Sequence, residues 1–311
     1  MVGERGGSVL LQSSADGSGP VLEPVEDCRV TPSLVSSIIF ALREEYMADK
    51  GLPVLRLAHL HESFDVVLTE QIRYLLLQVR NPDDDMSENE IDCFSRALDC
   101  SRESVSVLDL LSAVPSQKDL DEADVVLLGG SGDYSVAEGG PWLPPALDVM
   151  RGLYESSKPT FASCWGFQAM ARAMGGEVVT DPALAEVGTI WLTATPEGLE
   201  DPVFGPLGGR FQVHMGHQDV VTRLPDSVTL LASSDRVPNQ AYRFEGKPIY
   251  ATQFHPELGR EDLILRIGTY PPYLPLAGCS TMEEFAAATP DIPETEAILS
   301  RFVREVVRDT R

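Results

Sequence analysis

Pro159-Thr160-Phe161-Ala162-Ser163-Cys164-Trp165-Gly166-Phe167-Gln168 is the stretch whose reading decides the fold. Ahead of Cys164 the residues read as a short buried strand. Behind it, Phe167, Met170, Ala171 and Met174 recur at i, i+3, i+4 and i+7, the period of a helix face. Gly175-Gly176 stops that helix. A cysteine at a strand-to-helix turn sits on a sharp elbow with its sulfur exposed at the top of a sheet, as in hydrolase elbows. The crowded backbone needs small neighbours, and Ala162 and Gly166 supply them. First-turn N–H groups favour a thiolate, and the Trp165 amide is placed to face a developing oxyanion. Taken alone, a cysteine is more often a small buried apolar residue. A second stretch reverses that preference.

Lys247 to Phe254 has strand character, with Ile249, Tyr250 and Phe254 as packing positions, and runs into His255-Pro256-Glu257. Two residues apart on extended backbone, His255 and Glu257 project to one side. Pro256 keeps His255 out of the helical region. A carboxylate beside an imidazole holds one tautomer and stabilises the imidazolium. By itself this is a strand-end turn with a solvated glutamate. Beside Cys164 it completes a nucleophile, a base and a group to orient the base.

Two more stretches extend the pattern: Asp124 to Val136, an apolar strand running into Gly129-Gly130-Ser131-Gly132, and Val213-His214-Met215-Gly216-His217-Gln218-Asp219. With the elbow and the His-Pro-Glu tail, in this order, they resemble class I glutamine amidotransferases, the Cys-His-Glu family that hydrolyses the side-chain amide of glutamine. Within it they look most like the amidotransferase part of GMP synthase and its free-standing relatives. The resemblance covers about residues 72 to 265. Ala162 replaces the first glycine of the family's Gly-x-Cys-x-Gly-x-Gln elbow, and Ser131 replaces the usual proline after the glycine pair. The resemblance implies catalytic Cys164, His255 and Glu257. It implies an oxyanion hole from the amides of Gly130 and Trp165, and glutamine contacts from Gln168 and the backbone of Met215, Gly216 and His217. It also implies a γ-glutamyl thioester and a synthetase partner that receives ammonia. Three alternatives stay open: a γ-glutamyl peptide hydrolase using the same triad, a catalytically silent regulatory homologue, and a stress protein with a cysteine elbow.

The whole chain narrows the field. Its 311 residues suffice for one large α/β domain with additions, and 43% hydrophobic content is ordinary for a globular chain. With 48 acidic and 24 basic residues the net charge is −24, which argues against binding a nucleic-acid backbone and for solubility. Five scattered cysteines fit a reducing cytoplasm, not a disulfide framework. There is no Cys-x-x-Cys pair, and His214 and His217 are not read as zinc ligands, so no metal and no cofactor is expected. The glycine loop lacks the Gly-Lys-Ser/Thr of a phosphate loop. No leader is read, and the apolar run near Ile38 is too short to span a bilayer.

Three regions are expected. Residues 1–71 form an extension with a disordered start and one helix over 33–48. Residues 72–265 form the amidotransferase-like domain, and residues 266–311 a helical tail ending in a helix over 295–307. The domain begins with a strand over 74–80. A helix follows, capped by Ser87 with Glu90 as its capping-box partner. Strands over 104–110 and 124–128, a helix over 146–154 and the elbow strand come next. This order implies an α/β fold: a mostly parallel open sheet with helices on both faces. Strands over 190–195, 227–232, 240–244 and 249–254 add an antiparallel β extension.

Overall fold

A computed structural model of the chain describes residues 11–13, 20–22 and 72–307. The chain divides into two units, Met1–Glu62 and Ser63–Arg311. In the first, β1 (Leu11–Ser13) pairs antiparallel with β2 (Pro20–Leu22), within the stretch expected to lack regular structure. The helix expected over 33–48 lies outside the described residues.

The second unit is built on a nine-stranded sheet. Its first strands are β3 (Tyr74–Val79), β4 (Val105–Asp109), β5 (Val125–Ser131) and β6 (Thr160–Ser163). β7 (Glu177–Thr180) lies outside this sheet and pairs with β10 (Asp219–Arg223). The remaining members are β8 (Glu186–Ala194), β9 (Arg210–His217), β11 (Val228–Ser234), β12 (Ala241–Phe244) and β13 (Ile249–Thr252). The spatial order is β4-β3-β5-β6-β13-β12-β11-β8-β9. Pairing is parallel from β4 to β13 and antiparallel from β13 to β9. The expected parallel sheet with an antiparallel extension is what forms, and β13 is the strand where one becomes the other.

Alternation along the strands makes two cores. Tyr74 and Leu76 join Ile91, Phe94 and Phe161 on one face, while Leu75 and Leu77 join Met150, Phe167 and Met170 on the other. The first face is covered by α1 (Met86–Ala97) and the second by α3 (Leu143–Glu155) and α4 (Trp165–Ala173). Parallel strands buried on both sides read as continuous apolar runs, which is why β3 was legible at once.

The helix ends bring corrections. Ser87 does not cap α1: Asp85 precedes the first helical residue, and Ser87 Oγ donates to the Asp84 carbonyl at 2.8 Å. Its presumed partner Glu90 turns inward and is fully buried. The capping box forms instead at Ser116 and Asp119, opening α2 (Gln117–Glu122), a helix the pattern reading missed although the Ser-x-x-Asp signal was present. The boundary drawn after residue 265 falls inside α5 (Arg260–Thr269). The single terminal helix expected over 295–307 is broken into Pro293–Glu296, α6 (Ile298–Phe302) and a wider turn over Val303–Val307. Its Phe302 packs edge-on against Phe161 and Tyr250 at 5.4 and 5.5 Å, so this end of the chain belongs to the main core.

Candidate functional site

Cys164 follows β6 with φ 50° and ψ −100°, a left-handed conformation costly for a residue with a β-carbon. Strand and helix on either side hold it there. Close packing of α4 onto β5 requires glycine at the next-but-one position: a β-carbon on Gly166 would stand 2.5 Å from Leu128 Cβ and 3.2 Å from Ala162 Cβ. Trp165, the first residue of α4, is buried and stacks with Trp142 at 5.9 Å, which contacts Tyr134 at 5.3 Å. Its N–H belongs to the first turn, where amides lack intrahelical partners.

The base arrives on the neighbouring strand. Ser163 pairs in register with Thr252, and the Cys164 N–H donates to the Thr252 carbonyl at 2.8 Å. His255 lies three residues beyond β13, its N–H held by the His214 carbonyl at 2.9 Å. Its Nδ1–H donates to Glu257 Oε1 at 2.6 Å, and its ring lies beside the Cys164 side chain. Burial opposes a charge on His255, but the Glu257 carboxylate and then Cys164 outweigh it and push the imidazole up to about 9. Burial likewise opposes ionisation of the fully enclosed Glu257, and His255 overrides it, holding the carboxyl below its usual range. Cys164, His255 and Glu257 thus form one connected array with a proton carrier beside a sulfur.

A cavity of about 220 Å³ opens on Cys164, lined among others by Tyr134, Gln168, Gly216, His217, Gln218 and Tyr273. It is below the ~300 Å³ of drug-sized pockets and suits a single amino acid. The Gly216 carbonyl lies 3.9 Å from the Cys164 sulfur. Gln168 is buried, donating to the Asp219 carbonyl at 3.1 Å and to Gln253 Oε1 at 3.2 Å. The Met215 side chain lies in the core and the residue does not line this cavity, while the expectation for Met215 concerned its backbone. His214 and His217, three apart on a strand, have different partners, Thr189 for one and the Asp219 carbonyl for the other. Among the described residues no cluster of three or more His, Cys, Asp or Glu is arranged to hold a metal.

Gly130 requires a correction. The Gly-Gly loop does sit beside the site: a β-carbon on Gly130 would lie 2.9 Å from His255 Cε1, and one on Gly129 would lie 2.3 Å from Glu90 Oε1. Yet the Gly130 N–H is not free for an oxyanion. It donates to Glu90 Oε1 at 3.1 Å, because a buried carboxylate collects every donor within reach. The same carboxylate accepts from Arg80 Nη2 at 3.0 Å, Arg80 Nε at 3.1 Å and Gln78 Nε2 at 3.0 Å.

Several site residues escaped the sequence reading. Gln253 donates to the Cys164 sulfur at 3.8 Å while accepting from Gln168. Tyr273 lines the cavity together with Gln218 and Cys164. Arg80, Glu90 and Arg266 flank the loop from 50 residues before it to 136 after it, with no motif linking them. Only Gln253, next to the packing position Phe254, stood where alternation had already drawn attention.

Comparison with known proteins adds independent findings. Residues 88–262 match the family described as Glutamine amidotransferase class-I. The glutamine-hydrolyzing GMP synthase subunit of Methanothermobacter thermautotrophicus is 33% identical over 145 residues, covering 47% of this chain and 74% of the relative. GMP synthase [glutamine-hydrolyzing] of Christiangramia forsetii is 37% identical over 141 residues, covering 45% of this chain. The chain spans about a quarter of that relative's length, 26%. A glutamine amidotransferase structure from Thermotoga maritima shares the fold, with TM-score 0.60 and 21% identity over 76% of this chain and 98% of that one.

Proposed function

The chain belongs to the class-I glutamine amidotransferase family, enzymes that release ammonia from glutamine, and from that premise we propose that Cys164, His255 and Glu257 carry this reaction here. The Cys164 thiolate attacks the side-chain amide carbon. His255, held by Glu257, gives its proton to departing ammonia and then takes one from the water that cleaves the γ-glutamyl thioester. The observation that carries this reading is the 2.6 Å His255–Glu257 pair, with the His255 ring and Cys164 lining one cavity. The Trp165 amide is the nearer candidate for oxyanion stabilisation. Gly130 joins it only after its N–H leaves Glu90. Gln168, Gly216 and His217 line the cavity for the amino-acid end of the substrate.

In this reading residues 72–265 carry the catalytic triad, residues 266–307 complete the core and the cavity wall, and ammonia passes to a synthetase partner in the cytoplasm. No helix among the described residues is long and apolar enough to cross a membrane. The test is release of ammonia and glutamate from glutamine by purified protein, beside Cys164→Ala. Cys164-dependent release sustains the proposal. Release that survives the substitution ends it.

A further inference from the structure

A second cavity, of about 50 Å³, shares Cys164, Gly216 and Tyr273 with the first but is walled by Arg80, His255, Arg266 and Tyr270. His255 lines it and does not line the first, so it lies on the side where an amine protonated by His255 departs. Among the described residues no carboxylate lines it. Glu90 is gripped by Arg80, and Glu257 by His255. Water occupies about 30 Å³ in the liquid, so the space takes a group of a few heavy atoms.

Arg266 is out of balance. It is only 7% exposed, and its Nε and Nη2 make no hydrogen bond among the described residues. The carboxylate oxygen it approaches, Glu90 Oε1, is 4.0 Å from Nη2, beyond hydrogen-bonding distance. A β-carbon on Gly130 would lie 3.8 Å from Arg266 Nη1 and 2.9 Å from His255 Cε1, so guanidinium and imidazole flank the same point of the loop. A buried guanidinium short of acceptors is costly, and its planar fork matches a carboxylate.

We propose that this cavity is a leaving-group subsite, that the chain cleaves γ-glutamyl amides whose departing amine carries a carboxylate, and that Arg266 pairs with that carboxylate. The substrate class is then a γ-glutamyl amino acid, with glutamine the member whose leaving group is too small to reach Arg266. The inference rests on the hydrolase reading above and refines it. The Cys164 sulfur bonds to the amide carbon, the C–N electron pair leaves on the amine, and the amine takes its proton from the His255 imidazolium. Water then attacks the thioester, gives a proton to His255 and returns the electron pair to sulfur.

The experiment compares kcat/KM for γ-glutamylglycine, γ-glutamylethylamide, which lacks the carboxylate, and glutamine, in wild type, Arg266→Met and Arg266→Lys. Wild type should favour γ-glutamylglycine over the ethylamide by about tenfold or more, the discrimination expected of a charged hydrogen-bonded pair. That ratio should collapse to about one in Arg266→Met and return in part in Arg266→Lys. Equal kcat/KM for the two compounds in wild type overturns the subsite whatever the variants do, and so does cleavage of glutamine without γ-glutamylglycine. Failure of the underlying reading looks different: none of the three compounds is cleaved, and mass spectrometry finds no γ-glutamyl adduct on Cys164.

Discussion

Glu90 Oε1 accepts a hydrogen bond from the Gly130 amide at 3.1 Å, and this contact ties a helix-borne carboxylate to the loop beside the nucleophile. The carboxylate is fully enclosed and also holds Arg80 through both its oxygens. Removing it leaves a buried guanidinium without its main partner. Glu90→Ala should therefore destabilise the fold by about 3–5 kcal/mol, read as a lower urea midpoint. Glu90→Gln, which keeps the shape, should cost less. Equal midpoints for wild type and Glu90→Ala would show that the cluster carries no net stability.

Cys164→Ala should reduce glutamine turnover by at least about a thousandfold, since a nucleophile acts as a unit with its base. Circular dichroism should stay native. The strain at φ 50° comes with the β-carbon, which alanine keeps, so thermal stability should change little.

Glu257→Gln keeps the volume but cannot stabilise an imidazolium. Turnover should fall by about 10² to 10⁴ with KM little changed, as expected when an orienting carboxylate is neutralised. Steady-state kinetics would decide. A rise in KM at constant kcat would recast Glu257 as a structural prop.

Stability should depend on pH through His255. Burial disfavours its charge, yet Glu257 and then Cys164 lift it from 6.5 to about 9. A folded value above the unfolded one contributes stability that is full below pH 6.5 and lost as pH rises through 9. The urea midpoint of wild type should thus decline between those values, and His255→Ala should flatten the decline. Parallel slopes for the two proteins would remove His255 as the source.

Gly166→Ala adds a β-carbon 2.5 Å from Leu128 Cβ. Overpacking of this kind costs about 1–3 kcal/mol, and the shift of α4 should displace the Trp165 amide. Turnover and the melting temperature should fall together, whereas Gly152→Ala, with open space at its site inside α3, should leave turnover unchanged and raise the melting temperature slightly.

The parts of this molecule that were legible in the sequence are those where local chemistry is sufficient. β3 announces itself as an unbroken apolar run, and the elbow by a helical period beginning at a cysteine between small residues. His255 and Glu257 needed only the geometry of i and i+2. What stayed hidden was made by distant elements meeting. Glu90 follows a serine at cap spacing on a helix, and nothing local says that it will be drawn inward by Arg80. Its capture of the Gly130 amide then removes a donor that the loop sequence had promised. Arg266 sits on α5, 102 residues after Cys164, and its role depends on which groups fail to reach it.

The registration of Ser163 against Thr252 has a consequence for how the site is lost as well as for how it is built. Nucleophile and base leave adjacent strands of the same ladder, and the Cys164 amide is itself locked onto Thr252. The surface loops threaded between α4 and β13 therefore do not set the sulfur-to-imidazole spacing, and changes in their length need not disturb it so long as the His214 carbonyl keeps the His255 amide. Local fraying would not part the pair either: in native-state amide exchange, Cys164 should report the opening of the central sheet itself.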